Sequence, residues 1–538
     1  MQDKAVKKSL RKFDSYACGQ ARKTMNFSDL AVSWTVISRR GSKTGADSQN
    51  HWFGGLLHMR MPISGALRAV LCSAAILLVA LGGCRERERT GPAPSSILLI
   101  VLDTLRADRV GPYGGSDDFM PSLSGWARQA SVFKEATSVA PFTMPSVAAL
   151  LTGTYPDRAG IFIHASGVGL EDHRGSTLAE LARKAGRKTG AVVSNPWLAR
   201  RRGGFQRGFD AFSVRKEGPV PLNDRDAEGV TDAAIAHLER FGPSPFFLWV
   251  HYFDPHMPYK PPRKHGAASG AADDKGRVMR DFAADDRDLT RIYSGADYDE
   301  ADLRQASRLY DGEVRFVDEQ LARLFAHLEQ SGRAADTVTI VVSDHGEALG
   351  EHGLFFAHDF TLYDELMSVV LMMRGPGIAP GHRNDVVSPI DVMPTVCAML
   401  ELECEDEMDG VDLFDEDADF SSRTVFGAAT PFRKRAAAFP RLKVPGVEGR
   451  WTMARRGDLK LIKIPQRRNR AEYELFDLAR DAGETQNRYA SAKDERLQRA
   501  LEDWEEAMAE ARPVKKRGRR ERPDPEDEET LRSLGYLQ

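Results

Sequence analysis

Continuous apolar runs that stop on a polar side chain recur along this chain. Ser96–Leu102 reads SILLIVL and ends at Asp103. Ala191–Ser194, Phe246–His251, Thr337–Ser343 and Val369–Arg374 have the same character. A strand with one wet face alternates apolar and polar residues, whereas an unbroken run suits a parallel strand covered on both faces. Between the runs, apolar positions fall at helical spacing over Ser176–Gly186, Asp226–Phe241 and Ala301–Gly332. Strands alternating with helices predict an α/β fold, a large, mostly parallel mixed sheet sandwiched by helices. Ligands of such sheets bind beyond the carboxyl ends of the strands. Asp103, Asn195, His251 with His256, and Asp344 with His345 all fall at those ends. Chemistry is expected along that edge.

The pattern changes toward both termini. Residues 69–82 (AVLCSAAILLVALG) form a short apolar run behind Arg60 and Arg68, and Leu81-Gly82-Gly83-Cys84 follows. Such a run fits a signal-peptide core better than a membrane span, although a buried core helix is the competing reading. Small residues before Cys84 resemble a bacterial lipobox, so Cys84 is expected to be lipidated and to tether the protein to a membrane of the cell envelope. A signal peptide should begin the chain, so residues 1–58 are expected to be a spurious extension ahead of a start at Met59 or Met61. The expected organisation is a signal over 59–84, a tether over 85–95, a catalytic domain over 96–400, a C-terminal subdomain over 401–511 and a charged tail over 512–538. Residues 261–300 are rich in Gly, Ala and Asp and read as a surface loop. Pattern weakens over 405–450. Arg450–Ile464 and Tyr473–Leu478 then read as strands of a small antiparallel sheet. Residues 512–528 are a basic block followed by an acidic one, the mark of a solvated tail, and Glu529–Leu537 reads as a short terminal helix.

Bulk composition narrows the class without naming a chemistry. Of 538 residues, 42% are hydrophobic and 28% charged, which fits a soluble globular protein. The net charge of −3 provides no basic field for nucleic acid. The five cysteines (Cys18, Cys72, Cys84, Cys397, Cys404) build no disulfide scaffold and contain no C-x-x-C pair for a zinc knuckle. Cys397 and Cys404 are expected around a helix end, either bridged in an oxidising compartment or as two partly buried thiols.

Four segments carry the chemistry. In VVSDHGE an apolar strand runs into Asp344 and His345, which can face one metal if the chain bends at Gly346. In FTMPSVAALL, Thr143 precedes Pro145 and a helical run, so Thr143 fits an N-cap and Pro145 the first turn. Capping alone would explain that threonine. The same placement also puts a hydroxyl at a helix end that attracts sulfate or phosphate esters. HYFDPHMPY supplies His251, Asp254 and His256, and His358 follows in the Asp344 segment. These imidazoles can bind an anion or protonate a leaving group.

DTLRAD at 103–108, MPSVAALLTGTYP at 144–156, GFDAF at 208–212, FDPHMPY at 253–259, SDHGEALGEHG at 343–353 and HDFTLYDE at 358–365 together resemble the sulfatase family of the alkaline phosphatase superfamily. RGPG at 374–377, DVMPT at 391–395, ELFDLARDAGETQN at 474–487 and LRSLGYL at 531–537 extend the resemblance over roughly residues 94–490 and into the tail. The resemblance implies an alkaline phosphatase-like sheet with a C-terminal antiparallel subdomain. It also implies one divalent cation, calcium or magnesium, with manganese or zinc open. By position it makes Asp103, Asp344 and His345 metal ligands, and Thr143, His256 and His358 catalytic. His251, read from its own segment, and Asn195, standing where the family carries other residues, are expected to bind the substrate.

The resemblance also exposes departures. Where the family has a cysteine or serine converted to formylglycine within C-x-P-x-R, this chain reads Thr143-Met144-Pro145-Ser146-Val147. Thr104 replaces the family's second aspartate, and Ser194-Asn195-Pro196-Trp197 replaces a Gly-Lys-Trp-His segment. A sulfated threonine lacks the elimination route open to a formylglycine hydrate. Phosphoethanolamine transferases, lipoteichoic acid synthases and nucleotide phosphodiesterases of the same superfamily use threonine for phospho-transfer. The expected activity is therefore hydrolysis or transfer of a sulfate or phosphate ester through Thr143, with the balance toward phosphate. Attack by metal-bound water, and a non-catalytic envelope binding protein of the same fold, are the alternatives.

Overall fold

The computed structural model describes residues 94–162, 169–199, 203–214, 226–270, 277, 298–404, 407–430, 449–466 and 470–512. The expected signal, Cys84, the spurious extension and the terminal helix all lie outside the described residues, as does nearly all of the charged tail. Strands are β1 (Ser96–Leu102), β2 (Ser131–Ala136), β3 (Lys188–Val193), β4 (Ala211–Ser213), β5 (Phe246–Tyr252), β6 (Thr337–Ser343), β7 (Ala348–Leu349), β8 (Phe355–Ala357), β9 (Leu371–Arg374) and β10 (Gly381–Val387). Among the described residues, eight of them form one sheet in the order β10-β2-β9-β6-β1-β5-β3-β4. β1 lies between β5 and β6, parallel to both, with Leu102 opposite Tyr252 and Ser343.

Strand β9 runs antiparallel to both β2 and β6. Its apolar run was expected to be parallel like the others. Such a run reports burial on both faces and says nothing of direction. Here the chain leaves β6, forms the His345–His358 loop and returns beside β6 without a crossover, which an antiparallel pairing permits.

Alternate residues of β1 feed two cores. Leu98, Ile100 and Leu102 pack on one face of the sheet, while Ile97, Leu99 and Val101 pack on the other. The helices that cover these faces have readable starts. α1 (Pro121–Ala127) opens on a proline. α2 (Thr143–Thr152) ends at Gly153, which has φ +64. α3 (Leu178–Lys184) begins with a Thr177/Glu180 capping box. α4 (Ala227–Phe241) is capped by Asp226, and α5 (Glu300–Gln330) by an Asp299/Asp302 box. α1, α4 and α5 face the first core; α2, α3 and α6 (Val392–Leu400) face the second.

The C-terminal sheet has the order β11-β12-β13-β14, all antiparallel: β11 (Val425–Ala428), β12 (Thr452–Arg456), β13 (Leu459–Gln466) and β14 (Arg470–Asp477). Helix α7 (Glu495–Ala511) lays Leu497, Leu501, Trp504 and Met508 against it. Trp504 stacks on Phe426 and meets Tyr155 edge-on, which joins the sheet to the catalytic layer. The sequence pattern had missed the short strand β11 and the helix α7 here, and β2, β4, β7, β8 and β10 elsewhere in the chain. Within the expected loop 261–300, Arg263–Ala268 is helical. Cys397 and Cys404 form a disulfide. Among the described residues, no helix is long and apolar enough to cross a membrane.

Candidate active site

Strands β6, β1, β5 and β3 are neighbours, and their carboxyl ends deliver Asp344–His345, Asp103–Thr104, His251 and Asn195 to one place. Helix α2 points its first residue at the same place. Thr143 was expected to be its N-cap. Phe142 takes that position instead, with extended φ −165 and ψ 153, and Thr143 is the first helical residue. Its hydroxyl is therefore released from capping. Thr143 Oγ1 lies 3.4 Å from His345 Nε2 and 3.5 Å from Asn195 Nδ2. The Asn195 amide nitrogen also donates to Asp103 Oδ2 at 2.6 Å. Its orientation is settled by Trp197, whose backbone N–H needs the Asn195 oxygen as acceptor at 2.8 Å.

Two carboxylates and an imidazole face one another beside Thr143. His345 Nδ1 donates to the Gly346 carbonyl at 2.9 Å, which turns the lone pair of Nε2 inward. That nitrogen stands 3.7 Å from Asp103 Oδ1 and 3.6 Å from Asp344 Oδ2. Both oxygens are buried without a hydrogen-bond partner among the described residues. Burial, then the neighbouring Asp344 charge, raises Asp103 well above the usual carboxylate range. Burial pushes Asp344 up to about 7. Buried acceptors aimed at one another repel, and a cation between them reverses the sign. The three ligand atoms lie within 4.8 Å of one another, so this trio fits one divalent ion. The two carboxylates suit calcium, magnesium and manganese and the imidazole suits zinc, so the donor set selects no single ion.

The remaining imidazoles line the other side. His251 Nε2 is 3.9 Å from Asp103 Oδ2, and burial lowers His251 to about 3, so it stands neutral and makes no ion pair. His256 Nδ1 donates to the Met257 carbonyl at 2.5 Å, and its ring stacks on Phe253. His358 packs its ring 4.6 Å from that of His345 and 4.9 Å from that of His256. Burial alone would lower His358. The Glu347 carboxylate, 3.0 Å from Nδ1, outweighs it and pushes the imidazole up to about 9.

The eight side chains given a site role thus converge, whereas Asp254 lies beside Asp226 and Glu313 instead. Three more were missed, and Thr104 had been noted only for the aspartate it replaces. Glu347 is fully buried and holds His358. Arg106 donates to the Glu347 carbonyl at 3.0 Å and to Glu351 at 2.8 Å. Thr104 adopts φ +55, and its buried hydroxyl has no hydrogen-bond partner among the described residues. Tyr310, from α5, hydrogen-bonds the backbone around Thr104. Glu347 and Arg106 lie inside quoted motifs, so a signal existed for them. Tyr310 sits in an ordinary helical pattern and had none.

The sequence model of the family described as Sulfatase matches residues 95–402. A multifunctional alkaline phosphatase superfamily protein, PehA, of Trinickia caryophylli is 29% identical over 214 residues, 36% of this chain and 42% of that protein. An ulvan-active sulfatase of Formosa agariphila is 23% identical over 388 residues, 66% of this chain and 73% of that one. The structure of a phosphonate monoester hydrolase of Agrobacterium radiobacter shares the fold, with a TM-score of 0.59 at 20% identity over 78% of this chain and 95% of that one. The chain spans less than half the length of the first of these relatives and about three quarters of the second.

Proposed function

The chain belongs to the sulfatase family, and from that premise we propose that it is a metal-dependent hydrolase or transferase of phosphate or sulfate esters that works through Thr143. The observation that carries this is the convergence of the Thr143 hydroxyl, at a helix start, on His345 at 3.4 Å and Asn195 at 3.5 Å. A divalent cation held by Asp103, Asp344 and His345 would acidify the Thr143 hydroxyl and offset charge on the ester oxygens. The first turn of α2 offers backbone N–H groups to the same oxygens. Thr143 loses its proton to water, and Oγ1 bonds to the phosphorus or sulfur as the bond to the leaving oxygen breaks. That oxygen takes a proton from His358, which Glu347 keeps protonated, or from His256. Water or a second alcohol then attacks the central atom and gives its proton to the imidazole, while the bond to Oγ1 breaks and Oγ1 takes a proton back from water.

Threonine favours phosphate, since a phosphothreonine opens by attack of water or acceptor and needs no carbonyl hydrate. The assay compares aryl phosphate, phosphodiester, phosphonate and sulfate esters with calcium, magnesium, manganese or zinc. Thr143→Ala is expected to abolish turnover, and Thr143→Ser to keep part of it. Undiminished turnover by Thr143→Ala would point to metal-bound water and overturn the covalent route. We further propose an exported, lipid-anchored protein facing the periplasm or cell surface. The Cys397–Cys404 disulfide supports an oxidising compartment. Loss of membrane fractionation on Cys84→Ser is the expected result, and a soluble unmodified wild type sinks the idea.

A further inference from the structure

The turn that follows β1 is held in a conformation its own residue disfavours. Thr104 has φ +55, and a β-branched side chain is crowded by the backbone in that left-handed region. From this position its N–H donates to Asp344 Oδ1 at 3.2 Å, beside the His345 N–H at 2.8 Å. Rotation at Thr104 would swing both that N–H and Asp103, the preceding residue, relative to the chain that follows. Position 104 therefore sets the aim of the first carboxylate.

The chain that follows is gripped by one hydroxyl. Tyr310, about a third of the way along α5, donates to the Thr104 carbonyl at 2.8 Å and accepts the Arg106 N–H at 2.9 Å. One O–H donor and one oxygen lone pair thus satisfy two buried backbone groups two residues apart. The ring is fully buried and meets Tyr259 edge-on at 5.6 Å, so the hydroxyl has little freedom to move. Arg106 then anchors the same segment to the Asp344 loop through Glu347 and Glu351.

We infer that Tyr310 is a positioning residue: its hydroxyl locks the left-handed turn at Thr104 so that Asp103 and the Thr104 N–H meet Asp344. The consequence for ion binding rests on the cation reading of the site; the lock itself does not. Tyr310→Phe keeps the ring and removes only the hydroxyl. In EDTA-treated protein, hydrogen exchange over residues 103–108 should quicken by about thirtyfold, the effect of two lost buried hydrogen bonds, while β1 and α5 keep wild-type protection. Calcium or manganese titrated by calorimetry should bind about tenfold more weakly. Thr104→Asn in the same variant should recover protection and affinity, because asparagine tolerates the left-handed region. Wild-type exchange in Tyr310→Phe overturns the lock, and so does faster exchange spread evenly over the molecule. Wild-type protein that binds none of these ions overturns the cation reading, while the exchange measurement still decides the lock.

Discussion

Replacing Asp344 by asparagine should stabilise the metal-free protein while abolishing its response to divalent ions. Oδ1 accepts the Thr104 and His345 N–H groups, and an asparagine oxygen can keep both. The new amide nitrogen would replace Oδ2, a buried oxygen 3.6 Å from His345 Nε2 with no hydrogen-bond partner among the described residues. A donor then stands where two acceptors opposed each other. Burial shifts Asp344 from 3.8 to about 7, which corresponds to ~4 kcal/mol between its two protonation states. The sign follows from the direction. A carboxyl raised in the folded state binds its proton more tightly there, so its stabilising effect is complete below pH 3.8 and is lost as pH rises to about 7. In EDTA, Asp344→Asn should therefore gain on wild type progressively across that window, reaching ~4 kcal/mol at pH 8, a melting rise of order 5 °C for a chain this long. Calcium or manganese should raise the wild-type melting temperature and leave the variant unmoved. Calorimetric melts from pH 4 to 8.5, with and without ion, measure both. A variant no more stable than wild type at pH 8 in EDTA, with a gap independent of pH, refutes the reasoning.

Three other outcomes follow from the same contacts. Glu347→Gln removes the charge that overcomes burial and holds His358 near 9, so the alkaline limb of the kcat/KM profile should move to lower pH; an unmoved limb excludes His358 as the acid. Lys460 is fully buried between Asp364 at 2.6 Å and Glu484 at 2.9 Å, and Lys460→Met should cost ~3–5 kcal/mol in urea unfolding by stranding those carboxylates. A loss under about 1 kcal/mol would show that they protonate or find other partners. Trp504→Ala should cost ~3–5 kcal/mol and loosen α7, read as hydrogen exchange over 495–511. Unchanged exchange there would mean that the helix docks through its aliphatic residues alone.

Much of the scaffold is written locally. An apolar run such as SILLIVL can be satisfied only between two covered faces, and capping pairs such as Thr177 with Glu180 mark helix starts within a few residues of sequence. The edge where chemistry collects followed from the same runs, because a carboxylate or imidazole that ends a buried strand has one place to go. Local pattern was silent wherever the partner is distant. The direction of β9 depends on what it pairs with, and β11 is too short to show a period. Thr143 could be read as a cap until Phe142 took that place.

By itself, then, the sequence determined the layered α/β sheet and the set of side chains at its carboxyl edge, since both depend on the burial pattern of contiguous residues. Tertiary structure alone decided how those side chains meet. It placed the Asn195 amide on Asp103, opposed the lone pairs of Asp103, Asp344 and His345, set Glu347 against His358, and brought Tyr310 from across 206 residues to hold Thr104. The physical reason is that hydrogen bonds and charge opposition act over a few ångströms of space, and separation along the chain does not reveal which groups folding will bring that close.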